Sequence, residues 1–358
     1  MRSSAEQEAL MRTLRLVAPG TSLYEGLENI LRARTGALIV VGDSEEVMKI
    51  VNGGFRLNTE MDPANLYELA KMDGAIILSN EAKRIIVANA HLTPDPMIPT
   101  TETGTRHRTA ERAAIQTGEL VIAISQRRNI ITLYRGDQRY VLREIGNVLT
   151  KANQALQTLE RYRKVLQQAL INLSALEFED QTTLADVCTV IQRSEMAERI
   201  AGEIEMYISE LGTEGRLVSM QLEELLSDIE DEGLFVIKDY TVSQEEQDHE
   251  EAMEELQRIA GEELLDPGQI LRILGYSLGM SPESTVVTTR GYRILHKIPR
   301  LPGPVIENLV RVFDGLQRVL GASTEALDDV EGIGEIRARV IKDGLRRLRE
   351  QVLLERHL

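Results

Sequence analysis

Between residues 146 and 240 the chain contains no proline, and Leu149, Ala152, Leu156, Leu159, Leu166, Leu170 and Leu173 follow one another at the three-four spacing of a packed helix. Only Arg163 interrupts that seam. Leu184, Val187, Val190, Ile191, Ile200, Ile204, Leu222, Leu225, Leu226 and Ile229 continue at helical spacings, so the middle of the chain reads as an all-α helical spine, either coiled coil or bundle. A spine of that length divides the molecule. At roughly 150 residues per domain, 358 residues make two to three domains. The expected division is an α/β mixed-sheet N-terminal domain over 1–145, the helical spine over 146–285 and a C-terminal helical-hairpin domain over 286–358.

Before the spine, short β-rich runs alternate with amphipathic segments. Pro19-Gly20-Thr21 stops a first helix, and 23–34 reads as a second with Leu27, Ile30 and Leu31 on one face. Strands are expected at 36–41, 74–78, 84–88, 120–125 and 130–134, with helices at 63–70 and 109–117. The economical arrangement is a mixed sheet layered with helices.

Several function classes are excluded at this point. The only cysteine, Cys188, rules out an intrachain disulfide and a cysteine-based zinc site. The longest apolar runs, such as Ala37-Leu38-Ile39-Val40-Val41, fall far short of the roughly 20 residues of a membrane helix, and Glu6 and Glu8 interrupt any secretory pattern. No membrane partner and a cytoplasmic location are expected. The net charge of −16 argues against a surface that clings everywhere to nucleic acid. From Gly291 onward, however, twelve Lys and Arg stand against ten Asp and Glu, a net of +2 that leaves −18 on the residues before it. The stretch 245–266 carries ten carboxylates and one arginine, Arg258. Only the C-terminal part could meet a polyanion without general repulsion.

That part holds Val330-Glu331-Gly332-Ile333-Gly334, followed by an amphipathic helix. Gly332 and Gly334 allow a tight backbone turn while Ile333 plugs the core, and the N–H groups at the next helix start favour an anion. Arg337, Arg339, Lys342, Arg346 and Arg347 supply charge for adjacent phosphates. A Gly-x-Gly is also an ordinary helix-connecting turn, but with the basic helix after it the stretch resembles the helix-hairpin-helix motif of DNA repair proteins. A degenerate partner lies at Leu301-Pro302-Gly303-Pro304-Val305. There Pro304 stands for the second glycine and lacks an N–H, so this hairpin is expected to hold fold more than phosphate.

Two strings carry the N-terminal chemistry. Met72-Asp73-Gly74-Ala75 opens a strand with a carboxylate and a glycine that admits a ligand close to the backbone. Gly104-Thr105-Arg106-His107-Arg108-Thr109 precedes a helix expected to start near Ala110, bringing hydroxyls, a helix N-terminus and two guanidinium groups to one turn, as a triphosphate requires. A carboxylate can hold a divalent metal on phosphate oxygens or help deprotonate an attacking hydroxyl. Asp-Gly is also a common turn, Arg-His-Arg a common solvated surface, and no Walker or Rossmann loop is present. The residues alone stop at an anion or nucleotide site of open chemistry.

The stretches 67–79 and 102–112 resemble the diadenylate cyclase domain with its Asp-Gly-Ala and Arg-His-Arg motifs. The spine and the hairpin at 330–334 resemble the rest of the DisA family of bacterial DNA integrity scanning proteins, in the same order over nearly the whole chain, with the weakest match near Leu301-Pro302. The resemblance implies condensation of two ATP into cyclic di-AMP and two pyrophosphates, with Mg2+ or Mn2+. It carries over Asp73, Arg106, His107 and Arg108 as catalytic residues, Asp73 as the metal ligand, and Gly74, Leu92, Thr105 and Thr109 with the Arg-His-Arg turn as the ATP site. Leu92 is there to pack against adenine; by itself it also reads as ordinary core. DNA contacts are expected from Gly332, Gly334, Arg337, Arg339 and Lys342. Branched DNA such as recombination junctions is the implied partner, a homo-octamer the implied assembly, and the nucleoid the implied place. The resemblance also implies that branched DNA inhibits synthesis. Competing readings are a non-enzymatic DNA-structure-binding protein whose N-terminal domain only senses nucleotide, and a scaffold built around the spine.

Overall fold

The computed structural model describes residues 4–243, 245–277 and 279–356. The chain divides into two compact units, one of residues 2–153 with 205–219 and one of 154–204 with 220–358.

The first unit opens with α1 (Ser4–Leu16) and α2 (Ser22–Arg32), then β1 (Ala37–Val41), α3 (Glu45–Ile50), β2 (Val51–Asn52), β3 (Phe55–Glu60), α4 (Pro63–Leu69), β4 (Ala75–Leu78), β5 (Arg84–Leu92), α5 (Thr105–Thr117), β6 (Leu120–Ser125), β7 (Ile130–Arg135) and β8 (Gln138–Val141). The strands form one sheet in the order β2-β5-β4-β1-β6-β7-β8, with β3 also paired to β5. It is mixed, because β1 and β4 run parallel while the other pairs are antiparallel. Alternate residues of a strand face opposite sides. In β1, Ile39 and Val41 therefore enter a core with Leu14, Leu27, Ile30 and Leu66, whereas Val40 enters a second core with Val47, Ile50, Ala110, Ala113 and Ala114. Burial on both faces explains why the inner strands read as continuous apolar runs.

Three expectations change here. Helix α5 starts at Thr105 rather than near Ala110, capped by the backbone of Gly104 without any side-chain hydrogen bond, so the Arg-His-Arg string is the first turn of the helix. Strand β5 continues past Ala88 to Leu92, through a left-handed Asn89 at φ 53°. Strands β2, β3 and β8 and helix α3 have no counterpart in the sequence reading. Every residue of β3 is exposed, and its apolar alternation is confined to Phe55 and Leu57 before Asn58, Thr59 and Glu60.

Helices α6 (Ile145–Glu179) and α7 (Leu184–Leu211) follow, with 35 and 28 residues, then α8 (Arg216–Leu226), α9 (Glu232–Tyr240), α10 (Glu246–Arg258) and α11 (Pro267–Ile273). The α6 seam buries Val148, Ala152, Leu156, Leu159, Leu166, Leu170 and Leu173; Leu149 is only partly covered. Arg163 meets Asp228 at 2.6 Å, which accounts for a cation on that seam. The C-terminal part of the second unit contains α12 (Tyr292–His296), α13 (Gly303–Phe313), α14 (Leu316–Gly321), α15 (Thr324–Asp328) and α16 (Glu335–Glu355) around a core that includes Ile294, Ile298, Ile306, Leu309, Leu327, Val330 and Ile341.

The two C-terminal hairpins superpose in sequence at an offset of 32 residues. Ile298 corresponds to Val330, Arg300 to Gly332, Leu301 to Ile333 and Pro302 to Gly334. Arg300 and Gly332 are both left-handed, at φ 62° and 85°. The amides of Leu301 and Ile333 donate to the carbonyls of Ile298 and Val330, while Pro302 and Gly334 each cap the following helix. It is thus Pro302, not Pro304, that stands for the second glycine. Pro304 lies inside the first turn of α13 and removes a further N–H there.

Candidate active site

The N-terminal strings converge. Asp73 lies in the turn before β4, its carboxylate fully exposed and its Oδ1 3.8 Å from Nη2 of Arg106. Arg106 reaches it by lying across Gly36, where a Cβ would collide with the guanidinium. Gly74 is also required by a close approach of backbone. A Cβ there would stand 2.6 Å from both Cα and Oδ1 of Asn89, where the β4–β5 register shifts. The space left by the missing side chain is filled by the bulged strand β5, which packs against the Asp73 turn.

The start of α5 carries neither a side-chain cap nor a carboxylate in its first turn, which leaves an end suited to an anion. Thr105 and Arg108 are exposed, Arg106 and Thr109 partly so. The loop before the helix is tied down: Thr100 and Thr101 donate to Glu111, and Nε of Arg112 donates to the Ile98 carbonyl at 2.8 Å. His107 turns inward, with Nδ1 2.9 Å from the Tyr134 hydroxyl and Nε2 buried without a hydrogen-bond partner. Burial holds its pKa below the ordinary value, against the pull of Glu102. Leu92 lies opposite Val51 of β2 and is only 5% exposed, inside the same core as Val47 and Ile77.

Among the described residues no group of three or more His, Cys, Asp or Glu could hold a metal. A lone exposed carboxylate fits a hard cation that takes most of its ligands from phosphate oxygens and water. Sequence reasoning missed Gly36, Asn89, Glu102, Tyr134 and Arg139, whose contacts are all long-range; only Glu102 fell inside a string already singled out.

At the other hairpin, Ile333 is buried and a Cβ on Gly334 would meet nothing within 4 Å, so the α16 start is open. Arg337 donates to the Gly332 carbonyl, Arg339 pairs with Glu335, and Lys342 is exposed. Among the described residues no helix is long and apolar enough to cross a membrane.

Residues 24–139 match the family model described as DisA bacterial checkpoint controller nucleotide-binding, and residues 142–282 match the DisA bacterial checkpoint controller linker region. The DNA integrity scanning protein DisA of Symbiobacterium thermophilum is 59% identical over 353 residues, covering 99% of each chain. The protein of the same name from Acetivibrio thermocellus is 56% identical over 350 residues, 98% of this chain and 97% of that one. With family models across both units and relatives matched over nearly their full length, the chain belongs to the DisA family, whose N-terminal domain is of the diadenylate cyclase type.

Proposed function

We propose that the chain condenses two ATP into cyclic di-AMP and two pyrophosphates, and that branched DNA bound at its C-terminal hairpins controls the rate. The observation that carries this reading is the exposed Asp73 carboxylate 3.8 Å from Arg106 at an uncapped helix start. An anion-binding end, two guanidinium groups and a carboxylate free to take a cation are what a reacting triphosphate needs.

In this reading the triphosphate lies on the first turn of α5, held by Arg106 and Arg108 and by the hydroxyls of Thr105 and Thr109. His107 belongs to the same turn. Gly74 and Leu92 border the nucleotide through the turn and the strand end they occupy, since neither offers an open side chain. Asp73 holds Mg2+ or Mn2+, which neutralises phosphate charge when bound. Asp73 also assists removal of the 3′-hydroxyl proton. The 3′-oxygen attacks the α-phosphorus of a second ATP and pyrophosphate leaves; a second such step, with the roles exchanged, closes the ring. One site presents one nucleotide, so two subunits must face each other for the reacting atoms to meet. A homo-octamer that pairs cyclase domains satisfies this. Gly332, Gly334, Arg337, Arg339 and Lys342 hold DNA phosphates without reading bases, which places a cytoplasmic protein on the nucleoid.

Incubation of the purified chain with ATP and Mg2+ tests the reading. Cyclic di-AMP supports it; ATP bound but unchanged makes the N-terminal domain a sensor, and no binding makes the chain a scaffold.

A further inference from the structure

Within the Arg-His-Arg turn the three side chains do not behave alike. Arg106 and Arg108 reach solvent, whereas His107 is drawn into the domain. The Tyr134 hydroxyl lies 2.9 Å from Nδ1 of His107 and 2.8 Å from Oε1 of Glu102, and Nε of Arg139 donates to that same oxygen at 2.7 Å. A tyrosine hydroxyl has one proton to give. The carboxylate claims it, so the hydroxyl accepts from Nδ1–H, and the imidazole is the neutral tautomer with a bare Nε2. That nitrogen is buried and has no hydrogen-bond partner. A phosphate ligand would need an exposed N–H. The surroundings agree: burial lowers the His107 pKa despite Glu102, with Arg128, Arg139 and Arg106 adding to the lowering. Burial raises Glu102, but hydrogen bonds from Tyr134 and Arg139 outweigh it and keep the carboxyl below its ordinary range.

Resting on the cyclase reading above, we propose that Tyr134, Glu102 and Arg139 are positioning residues that hold His107 inward, so that the histidine anchors the first turn of α5 and, of the three Arg-His-Arg side chains, only the two arginines meet the nucleotide. The chain joins four pieces of backbone: the loop before α5, α5 itself, β7 and the edge strand β8. Tyr134 is almost wholly buried and cannot yield, while Arg139 is 43% exposed and closes the chain at the surface. The turn is therefore set from behind, and the two arginines owe their placement to residues that never touch ATP.

The test uses the full-length chain and 3′-deoxy-ATP, which can occupy the site but has no hydroxyl with which to condense. Tyr134→Phe is expected to weaken its binding about tenfold and to raise KM for ATP similarly, with kcat within about threefold, the scale of one hydrogen bond to a charged chain. Arg139→Gln, at the exposed end where folding is not at risk, should give a smaller loss of the same kind. His107→Gln combined with Tyr134→Phe should be no worse than the worse single change, because both break one chain. Unchanged binding in Tyr134→Phe and Arg139→Gln overturns the proposal. So does a His107→Gln variant that binds normally, loses kcat and adds to Tyr134→Phe, since that histidine would be touching the reacting atoms. If the unaltered chain binds no 3′-deoxy-ATP, the cyclase reading fails with it.

Discussion

Asp73 and Arg106 meet because two glycines leave room, one for each partner. Gly36 lets the guanidinium pass, and Gly74 lets the Asn89 bulge press against the turn that carries Asp73. Gly74→Ala should therefore destabilise the N-terminal domain by about 1–3 kcal/mol, the usual range for overpacking against backbone, and displace the carboxylate as well. Thermal unfolding with and without ATP separates the two effects. Arg106→Ala and Arg108→Ala should each weaken ATP binding by about 1.5–3 kcal/mol, the loss of a charge-assisted hydrogen bond, with little change in melting temperature because both side chains reach solvent. Normal titration of ATP by both variants would make the turn a surface feature. At this scale the sequence showed the residues with local signatures: the Asp-Gly turn and the cluster of cations and hydroxyls. It could not show Asn89 or Tyr134. A bulge exists only relative to a partner strand, and a tyrosine in a strand looks the same whether its hydroxyl is idle or closes a hydrogen-bond chain.

At the scale of elements, the long helices, the inner strands and the glycine hairpin were legible because each is written in a period or a turn residue. The start of α5 was not, since Gly104 caps with backbone alone. The register of the first hairpin was hidden too, because an arginine occupies the left-handed position that glycine marks in the second. The mounting of the hairpins was equally invisible. Arg293 of α12 is fully buried and pairs with Glu177 of α6 and with Glu232 of α9 at 3.3 Å, while Asp239 of α9 accepts from the amides of Gly291, Tyr292 and Arg293. Burial alone would lower the Arg293 pKa, but the two glutamates outweigh it and the cation persists. Arg293→Met leaves Glu177 buried without its cation and should cost about 3–5 kcal/mol. Adding Glu177→Gln should recover part of that loss. Chemical denaturation followed by a probe in the C-terminal region reads both; stability unchanged by Arg293→Met would show the network to be slack.

For the molecule as a whole, the charge map and the helix-borne connection set how DNA could act. The C-terminal part is the only mildly basic one, and α6 runs from the end of the sheet domain to the Glu177 pair that holds the hairpins. A branched duplex that engages several hairpins at once should inhibit synthesis more than a linear one. Removing everything from Gly291 onward would also take Arg293 and strand Glu177, Glu232 and Asp239. Gly334→Glu and Lys342→Glu are cleaner, since both positions are exposed and neither touches that network. They should keep basal synthesis and lose the DNA effect; inhibition undiminished in both at moderate salt would place the sensor elsewhere. The claim on which all of this rests is the condensation itself, and product analysis after incubation with ATP and Mg2+ tests it most directly. The unaltered chain should yield cyclic di-AMP and pyrophosphate in a ratio of one to two, and Asp73→Asn should yield none while melting at the same temperature, because its side chain is fully exposed. Unchanged ATP from the unaltered chain, or near-normal cyclic di-AMP from Asp73→Asn, would contradict it.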